Sequence, residues 1–456
     1  MSNEKYNEIE KLAYKKQNVF SVYDKTDVFS FAEKYKSYLN ITKTEREAVK
    51  VTVDMAKKYG FSEYKIGSKI SIGDKKYFIN KNKQLILFIK GKKNAPVKIV
   101  ASHIDSPRLD LKQNPLYEDN GLSFFKTHYY GGIKKYQWTT VPLALHGIVY
   151  KENGEAIDFS VGESESDPIF YITDLLPHLS REQNEKTLKN GITADNLNVF
   201  VGSIPLDEDL KKAIKLNVLK ILNTQYGMVE EDFLSAELCF VPALKARDIG
   251  LDRSLIGAYG HDDKVCSYPA IVSTLEYTGD NTIITILADK EEIGSEGNTG
   301  MQSGIFVDIL NKIAEADGVD PSILRYNAEC LSADVTSAFD PNYASVYEKN
   351  NSGIISCGVA MSKYTGSGGK SSSNDASAEY ISKIRKIFKE NNVIWQTAEL
   401  GKTDAGGGGT VAKYIARLNI DTVDLGVPVL SMHAPYEAIS KADVYSCYLA
   451  FKAFIK

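Results

Sequence analysis

Short apolar runs rich in β-branched residues alternate with amphipathic segments along much of the chain. Val97–Ser102 and Thr282–Ala288 are two such runs, and stretches with helical spacing separate runs of this kind. Apolar runs of this length are typical of strands that are buried on both faces of a sheet. The pattern therefore predicts an α/β fold, a doubly wound mixed sheet with helices on both faces.

Capping and turn residues divide this pattern into elements. A helix is predicted over 41–59, because Thr42 or Thr44 can cap it with Glu45 or Glu47 three residues on. The other predicted elements are helices over 5–40, 206–226, 265–277, 376–389 and 410–417, a helix from about 302, a hairpin over 69–79 that turns at Gly73-Asp74, and strands over 85–89, 236–242, 354–361, 393–397 and 423–430.

The βα rhythm is interrupted between about Leu109 and Pro242. Tyrosines, turn residues and short alternating strands replace it there, and it resumes after Pro242. A chain of 456 residues is also too long for one ordinary core. We therefore predict a discontinuous catalytic domain over 1–108 and 243–456, with an inserted β-rich domain over 109–242.

Composition narrows the class of protein. Hydrophobic residues make up 43% and charged residues 25%, as in soluble globular proteins. A formal charge of −4 argues against nucleic-acid partners and against binding to a membrane surface. The five cysteines are widely spaced and form no Cys-x-x-Cys pair, which favours a reducing cytoplasmic location and argues against a zinc–thiolate site. The polar N-terminus lacks the apolar core of a signal peptide, and no apolar run is long enough to span a membrane.

Polar side chains follow the apolar strands at several points. His103 and Asp105 come after one strand, and the row from Asp289 through Glu291 and Glu292 comes after another. Carboxyl ends of strands are where open α/β sheets place their ligand sites. Taken singly, each of these residues is as well explained by a turn, a helix cap or a structural hydrogen bond.

Taken together, these residues predict a metal site at one edge of the sheet. The residues concerned are His103, Asp262, Glu291, Glu292, Asp334 and His433. Oxygen and imidazole ligands without cysteine suit zinc, manganese or cobalt. Six residues are too many for one ion, but they fit two ions that share a bridging carboxylate, with one further carboxylate as general base.

Two glycine-rich segments were considered as binding loops. Gly369-Lys370-Ser371 would end a phosphate-binding loop, but that motif needs a glycine at the position of Tyr364. The second segment, Lys402–Thr410, contains four glycines that let a backbone approach a ligand closely. We take Asp404 and Gly406 as candidate substrate-binding residues, with a flexible turn before the next helix as the alternative.

These motifs, in this order, resemble those of the aspartyl aminopeptidase and vacuolar aminopeptidase I family of co-catalytic zinc exopeptidases. The motifs are His103-x-Asp105-Ser-Pro-Arg, Asp262-Asp263, Asp289-x-Glu291-Glu292-x-Gly-Ser, Ser-Ala-Asp334 and Ser-Met-His433. The resemblance covers nearly the whole chain. It implies a metal-dependent aminopeptidase that releases an acidic or neutral N-terminal residue from peptides.

The resemblance also implies a role for each site residue. Asp262 would bridge two divalent ions, most simply Zn²⁺, with Mn²⁺ or Co²⁺ as alternatives. His103 and Asp334 would bind one ion, and Glu292 and His433 the other. The resemblance further implies that Glu291 is the general base for the attacking water and that Asp105 orients His103.

Further expectations concern assembly and specificity. Relatives form dimers through the inserted domain, and the dimers build a tetrahedral dodecamer. In relatives a histidine of that domain reaches the active site of a neighbouring subunit, and His178 matches its position best. Members specific for acidic substrates use a basic residue in the substrate pocket. Lys363 and Lys370 are the two candidates for it here.

Other readings of the sequence remain open at this stage. A related binuclear hydrolase, either another tetrahedral aminopeptidase or an N-acyl amino-acid deacylase, would use a similar set of ligands. A catalytically silent assembly or cargo protein could keep the same scaffold, although the presence of Glu291 argues against silence.

Overall fold

The computed structural model describes residues 9–207 and 209–456. In chain order its helices are α1 (Lys25–Leu39), α2 (Glu45–Lys58), α3 (Arg181–Asn184), α4 (Leu188–Gly191), α5 (Ala213–Tyr226), α6 (His261–Leu275), α7 (Ile305–Asp317), α8 (Pro321–Tyr326), α9 (Ala378–Glu390), α10 (Ala412–Ala416) and α11 (Lys441–Ile455). None of the helices in these ranges is long and apolar enough to cross a lipid bilayer.

The strands are shorter and more numerous. In chain order they are β1 (Ser62–Glu63), β2 (Lys75–Asn80), β3 (Gln84–Ile89), β4 (Val97–His103), β5 (Arg108–Asp119), β6 (Leu122–Tyr130), β7 (Leu143–Tyr150), β8 (Ala156–Val161), β9 (Val199–Gly202), β10 (Ala236–Pro242), β11 (Arg247–Ile249), β12 (Leu255–Ala258), β13 (Thr282–Ala288), β14 (Glu329–Ser332), β15 (Thr336–Ser337), β16 (Val359–Ser362), β17 (Gly366–Ser367), β18 (Trp395–Thr397), β19 (Gly407–Gly408), β20 (Asp421–Gly426), β21 (Pro428–Leu430) and β22 (Glu437–Ser440).

A nine-stranded mixed sheet forms the centre of the molecule, in the order β1-β2-β3-β13-β4-β14-β20-β16-β18. Alternate residues of β4 belong to different cores, because side chains alternate between the faces of a strand. Val100 packs with α1, α2, α6, α9 and α11 on one face. Ile99 and Ala101 pack with α7, α8 and α10 on the other. The predicted doubly wound α/β fold is confirmed.

The interrupted region of the sequence forms a separate antiparallel sheet. Its six strands, in the order β8-β7-β10-β5-β6-β9, all come from residues 108–242 and cover their own hydrophobic core. The chain enters along β5 and leaves along β10, and these strands are paired, with Leu109 opposite Phe240. The structure thus has the β-rich character predicted here, while the division into domains at 109 and 242 remains a prediction.

A third sheet, in the order β11-β12-β22-β21-β15, lies beside the ends of the central strands. It accounts for one correction. The single strand predicted over 423–430 is two strands, β20 in the central sheet and β21 in this third sheet, with Val427 between them. The apolar run is continuous because both halves are buried. Hydrophobic pattern alone therefore gave no sign that the chain changes sheets.

Four other boundaries differ from the prediction. The hairpin of β2 and β3 turns at Lys81–Lys83, not at Gly73-Asp74, because Lys81 and Asn82 adopt the positive φ angles that close it. The helix predicted from 206 begins at Ala213, after a left-handed Lys212. The strand predicted over 354–361 starts at Val359, and α1, which lies within the helix predicted over 5–40, starts only at Lys25. Positions 5–8 and 208 of these predictions lie outside the described residues.

The predicted cap of the second helix is confirmed. Thr44 is the N-cap of α2, and its hydroxyl accepts a hydrogen bond from the backbone N–H of Glu47 at 3.4 Å. The Glu47 carboxylate accepts one from the Thr44 N–H at 2.9 Å. This reciprocal pair satisfies two backbone donors that a helix start otherwise leaves unpaired.

Candidate metal centre

Five chain segments deliver carboxylate and imidazole side chains to one place. His103 ends β4, Asp262 lies in the first turn of α6, and Glu292 follows β13 in a short 3₁₀ turn. Asp334 comes two residues after β14, and His433 stands in the loop between β21 and β22. Parallel neighbours in the central sheet put their carboxyl ends at the same edge, so ligands that are far apart in sequence meet there.

These side chains form two groups that share Asp262. In the first, His103 Nε2 lies 3.2 Å from Asp262 Oδ1 and 3.7 Å from Asp334 Oδ1. In the second, His433 Nε2 lies 3.2 Å from Asp262 Oδ2 and 3.4 Å from Glu292 Oε2. Within each group the potential ligand atoms lie within 4.8 Å of one another. Asp262 thus presents one carboxylate oxygen to each group.

The chemistry of these groups fits divalent cations. Each group offers one imidazole nitrogen and carboxylate oxygens, a donor set that zinc, manganese and cobalt accept. Asp262 Oδ1 and Glu292 Oε1 are buried without a hydrogen-bond partner among the described residues. Burial would lower the pKa of His433, but the carboxylates of Asp262 and Glu292 outweigh it and raise that pKa to about 11. Such a site attracts positive charge strongly.

Asp105 forms hydrogen bonds with residues of both groups. His103 Nδ1 donates a hydrogen bond to the Asp105 carbonyl oxygen at 3.1 Å and also lies 3.3 Å from its carboxylate. The same carboxylate accepts hydrogen bonds from the backbone N–H groups of Glu291 and Glu292, at 3.1 and 3.2 Å. Asp105 therefore orients a histidine of one group and the turn that carries a carboxylate of the other.

Glu437, on β22, is a site residue that the sequence analysis missed. It is buried, and its two carboxylate oxygens accept hydrogen bonds from the backbone N–H groups of Asp262, at 3.1 Å, and His433, at 2.7 Å. The backbones of two potential ligands are thereby held by one side chain. The available signal in the sequence was a glutamate four residues after His433, but a glutamate alone does not identify the groups that it contacts.

The β-rich sheet also reaches this centre, through the loop that follows β6. The Tyr130 hydroxyl donates a hydrogen bond to the Asp105 carboxylate at 2.8 Å. Two residues later the Gly132 carbonyl accepts a hydrogen bond from His433 Nδ1. Between them Gly131 passes so close to Glu292 that an added Cβ would lie 3.3 Å from its carboxylate oxygen. This loop was not predicted to be part of the site.

Glu291 belongs to neither of the two groups of potential ligands. It lines the open pocket above the two groups, while its backbone is held by Asp105. Among the protein groups alone, burial and then the negative charge of Asp334 raise the pKa of Glu291 to about 8. A carboxyl group with a raised pKa beside a cavity is a candidate for proton transfer.

The pocket has a volume of about 500 Å³. Its walls include both glycine-rich segments and Gly406, whose role in substrate binding stays a prediction. A Cβ at Gly406 would lie 2.0 Å from the Leu400 carbonyl oxygen, so the glycine is required by close approach of the chain to itself. Among the described residues, Asp404 and Lys363 do not line this pocket.

Three lysines line the pocket: Lys370, Lys402 and Lys413. Lys370 forms an ion pair with Asp375 at 3.2 Å, and its ammonium group lies 4.0 Å from the centre of the Tyr364 ring. The other predicted candidate, Lys363, forms an ion pair with the same aspartate at 2.6 Å.

His178 lies away from these groups within one subunit. It is exposed in the short 3₁₀ helix Pro177–Leu179 and is not one of the described pocket-lining residues. Leu175, Leu176 and Leu179 around it are exposed as well, the last with 68% of its surface accessible. The structure of one chain therefore does not bring His178 to the metal centre.

The chain is similar to known proteins over nearly its whole length. The sequence profile of the family described as aminopeptidase I zinc metalloprotease (M18) matches residues 38–455. A probable M18 family aminopeptidase 1 from Clostridium acetobutylicum is 47% identical over 454 residues, covering 96% of this chain and 98% of that protein.

Solved structures show the same similarity. The crystal structure of an M18 family aminopeptidase from Thermotoga maritima aligns with a TM-score of 0.94 at 40% identity, covering 97% of this chain and all of that one (100%). The mApe1 dodecamer from S. cerevisiae aligns with a TM-score of 0.76 at 22% identity, covering 93% of this chain and 96% of that one. At that identity the yeast structure shows only that the fold is shared.

Proposed function

The chain belongs to the M18 family of zinc metallo-aminopeptidases, and on this premise we propose that it releases N-terminal residues from peptides at a two-metal centre. Its membership makes it a metallo-exopeptidase, a hydrolase of peptide bonds. The observation that carries the two-metal proposal is the position of Asp262, whose two carboxylate oxygens each face a separate histidine–carboxylate group.

The ligands divide naturally between the two ions. His103 and Asp334 would hold the first, Glu292 and His433 would hold the second, and Asp262, which belongs to both groups, would be shared. When bound, the ions act as Lewis acids that polarise the scissile carbonyl group and lower the pKa of water. Zinc suits these ligands best on the family assignment, and manganese and cobalt suit the same donor set.

Glu291 is the proposed general base. It lines the pocket beside the two groups, and it takes a proton from the attacking water and passes it to the leaving amine. Its backbone N–H is fixed by Asp105, which limits the positions that its carboxylate can reach. Asp105 itself is a positioning residue, because it contacts His103 and the Glu291–Glu292 turn.

The pocket is proposed to favour an acidic N-terminal residue while still accepting a neutral one. Lys370, Lys402 and Lys413 supply positive charge to its wall, which suits a side-chain carboxylate. The ion pair with Asp375 partly neutralises the positive charge of Lys370. Lys402 and Lys413 are therefore the stronger candidates for binding an acidic side chain. Lys363 contributes indirectly, through the same aspartate.

Assembly is proposed to follow the family pattern, with dimers formed through residues 109–242 and combined into a tetrahedral dodecamer. The yeast neighbour is described as a dodecamer. Exposed leucines at 175, 176 and 179 support a protein contact around His178, which would then reach the neighbouring subunit's active site. Five buried, unpaired cysteines suit a cytoplasmic location.

Metal reconstitution tests the proposal directly. Metal-stripped protein is assayed on Leu-, Asp- and Glu-p-nitroanilides and on an N-acetylated control, with zinc, manganese or cobalt added back and bound metal counted by mass spectrometry. We expect release of the unblocked residue that rises with two ions per chain, and faster release from the acidic substrates. Full activity at one ion per chain would contradict the two-metal centre, and hydrolysis of the acetylated substrate alone would indicate a deacylase.

A further inference from the structure

A second cluster of buried oxygens lies behind the substrate pocket. Asp424 on β20 stands opposite Ser332 on β14, where the two strands are paired in parallel. Thr410, at the end of the glycine-rich segment, completes the cluster. Both hydroxyls approach the Asp424 carboxylate closely enough to lower its pKa, although burial has the larger effect and raises it to about 7.

The polar atoms of this cluster lack well-formed hydrogen bonds. Both carboxylate oxygens of Asp424, Oγ of Ser332 and Oγ1 of Thr410 are buried and have no hydrogen-bond partner among the described residues. Asp424 as a whole is only 4% exposed. Burying a carboxylate is costly unless it is paired, and here its buried polar neighbours include two hydroxyl groups, so the cluster is a candidate site for a cation.

The candidate metal centre of the same structure contains buried oxygens of the same kind. Asp262 Oδ1 and Glu292 Oε1 are likewise buried and without a partner, and their site fits cations. The Asp424 cluster has the same signature but a different donor set. It offers one carboxylate and two hydroxyl groups, with no imidazole or thiol.

We propose that Asp424, Ser332 and Thr410 bind a monovalent alkali-metal cation, either K⁺ or Na⁺. Oxygen donors alone suit a hard cation, and a single carboxylate balances a single positive charge. Zinc prefers the nitrogen-containing groups of the metal centre. Asp424 and Thr410 both line the substrate pocket, which provides a route for a hydrated ion to enter.

The position of this cation site links two parts of the active site. Ser332 precedes the ligand Asp334 by two residues, at the end of β14. Thr410 follows the glycines from Gly406 to Gly409 that line the pocket wall. A cation held between them fixes the pocket wall relative to the metal centre. Its loss is therefore expected to raise KM for peptides more than it lowers the content of divalent metal.

Thallium(I), a K⁺ analogue with strong anomalous scattering, tests the site without relying on activity. Crystals of the zinc-loaded wild-type protein are soaked in thallium acetate. We expect an anomalous peak among Asp424, Ser332 and Thr410 that is lost in Asp424→Asn and kept in Asp421→Asn. Asp421 lies on the same strand but is exposed. A water molecule alone at this position, with no thallium peak and with equal melting temperatures in the salts compared below, would overturn the proposal.

Thermal unfolding in KCl, NaCl and choline chloride at equal ionic strength provides a second measurement. A cation that binds the folded protein raises its melting temperature. We expect K⁺ or Na⁺ to do so in the wild-type protein and in Asp421→Asn, and not in Asp424→Asn. If Asp424→Asn fails to fold, Thr410→Val and Ser332→Ala take its place. Equal melting temperatures in all three salts, for the wild-type protein, would count against the site.

Discussion

His433 Nδ1 donates a hydrogen bond of 2.7 Å to the carbonyl oxygen of Gly132. The histidine belongs to the third sheet and the glycine to the loop after β6 of the β-rich sheet. This bond leaves Nε2 as the nitrogen that faces Asp262 and Glu292. Groups that orient a metal-binding histidine in this way set its tautomer and ring position. The loop after β6 of the β-rich sheet therefore contacts a histidine of the candidate metal centre.

Gly131→Ala is expected to weaken metal binding. Gly131 has φ of +77°, and an added Cβ would lie 3.3 Å from Glu292 Oε2. Gly121→Ala is the matched control, because Gly121 has φ of +80° in the same sheet but open space around it. Both variants bear about 1–2 kcal/mol of backbone strain. We expect only Gly131→Ala to lose zinc affinity in titrations with a competing chelator, and equal affinities would contradict the contact.

Tyr130→Phe is expected to slow catalysis by about tenfold, because loss of a group that orients metal ligands typically costs 10–100-fold. The change removes the hydroxyl that donates to Asp105 and keeps the ring that stacks on Arg108. Tyr129→Phe, at the exposed neighbouring position, serves as control. The absorption spectrum of the cobalt-substituted protein should change in Tyr130→Phe only. An unchanged spectrum and turnover would remove Tyr130 from the support of the site.

Glu291→Gln is expected to lower kcat by about 10²–10⁴-fold, the usual contribution of a general base. The amide keeps the size of the side chain but cannot accept the proton. Glu296→Gln, on the same loop and exposed, should retain activity. Metal content and oligomeric state, measured by mass spectrometry and light scattering, should match the wild-type protein. Turnover close to the wild-type rate would exclude Glu291 from the mechanism.

His178→Phe is expected to lower kcat while both metal ions stay bound. If His178 acts on a neighbouring subunit, mixing His178→Phe with Glu291→Gln subunits should restore part of the activity, because some sites then receive both intact residues. His128→Phe is the control, because His128 is an exposed histidine on β6 of the β-rich sheet. Loss of metal from His178→Phe would make this residue a ligand, and unchanged kcat would make its role structural.

Because of the buried His146, we expect the free energy of unfolding to fall at alkaline pH. Burial would lower its pKa, but hydrogen bonds to Glu163 and Glu47 outweigh this and raise the pKa to about 9, above the ordinary 6.5. The stabilisation is therefore fully present below about pH 6.5 and is lost as the pH rises through about 9. The difference between the two pKa values corresponds to about 3 kcal/mol.

Urea unfolding between pH 6 and 10 measures this effect. Wild-type stability should fall across that range, whereas His146→Gln should start lower and change less with pH. His128→Gln, exposed in the same sheet, should follow the wild-type curve. Parallel curves for the wild type and His146→Gln would show that His146 is not the group responsible.

Much of the site could be predicted because its residues follow apolar strands or open a helix. His103, Asp262, Glu292, Asp334 and His433 were chosen on that ground, and the structure brings all five together. Their roles as ligands remain a proposal. The periodicity of β4 and β13 likewise predicted the central sheet, because strands that are covered on both faces are apolar throughout.

The supporting residues could not be predicted, because their function depends on contacts between distant segments. Glu437 is recognised only when the backbones of Asp262 and His433 lie against it. Gly131 and Gly132 look like an ordinary turn until the β-rich sheet is placed beside the metal centre. Lys363 and Lys370 were chosen as pocket residues, but their ion pairs with Asp375 depend on a loop conformation that hydrophobic pattern does not encode.

Because Leu109 is paired with Phe240, the first and last strands of the β-rich segment lie side by side, and the two ends of the segment are close together. A segment with adjoining ends can grow, shrink or be exchanged during evolution while the strand register of the nine-stranded sheet is preserved. The freedom is limited at one point, because the loop from Tyr130 to Gly132 contacts Asp105 and His433. The outer surface of the segment can thus vary in sequence more freely than the loop from Tyr130 to Gly132, which must keep its shape.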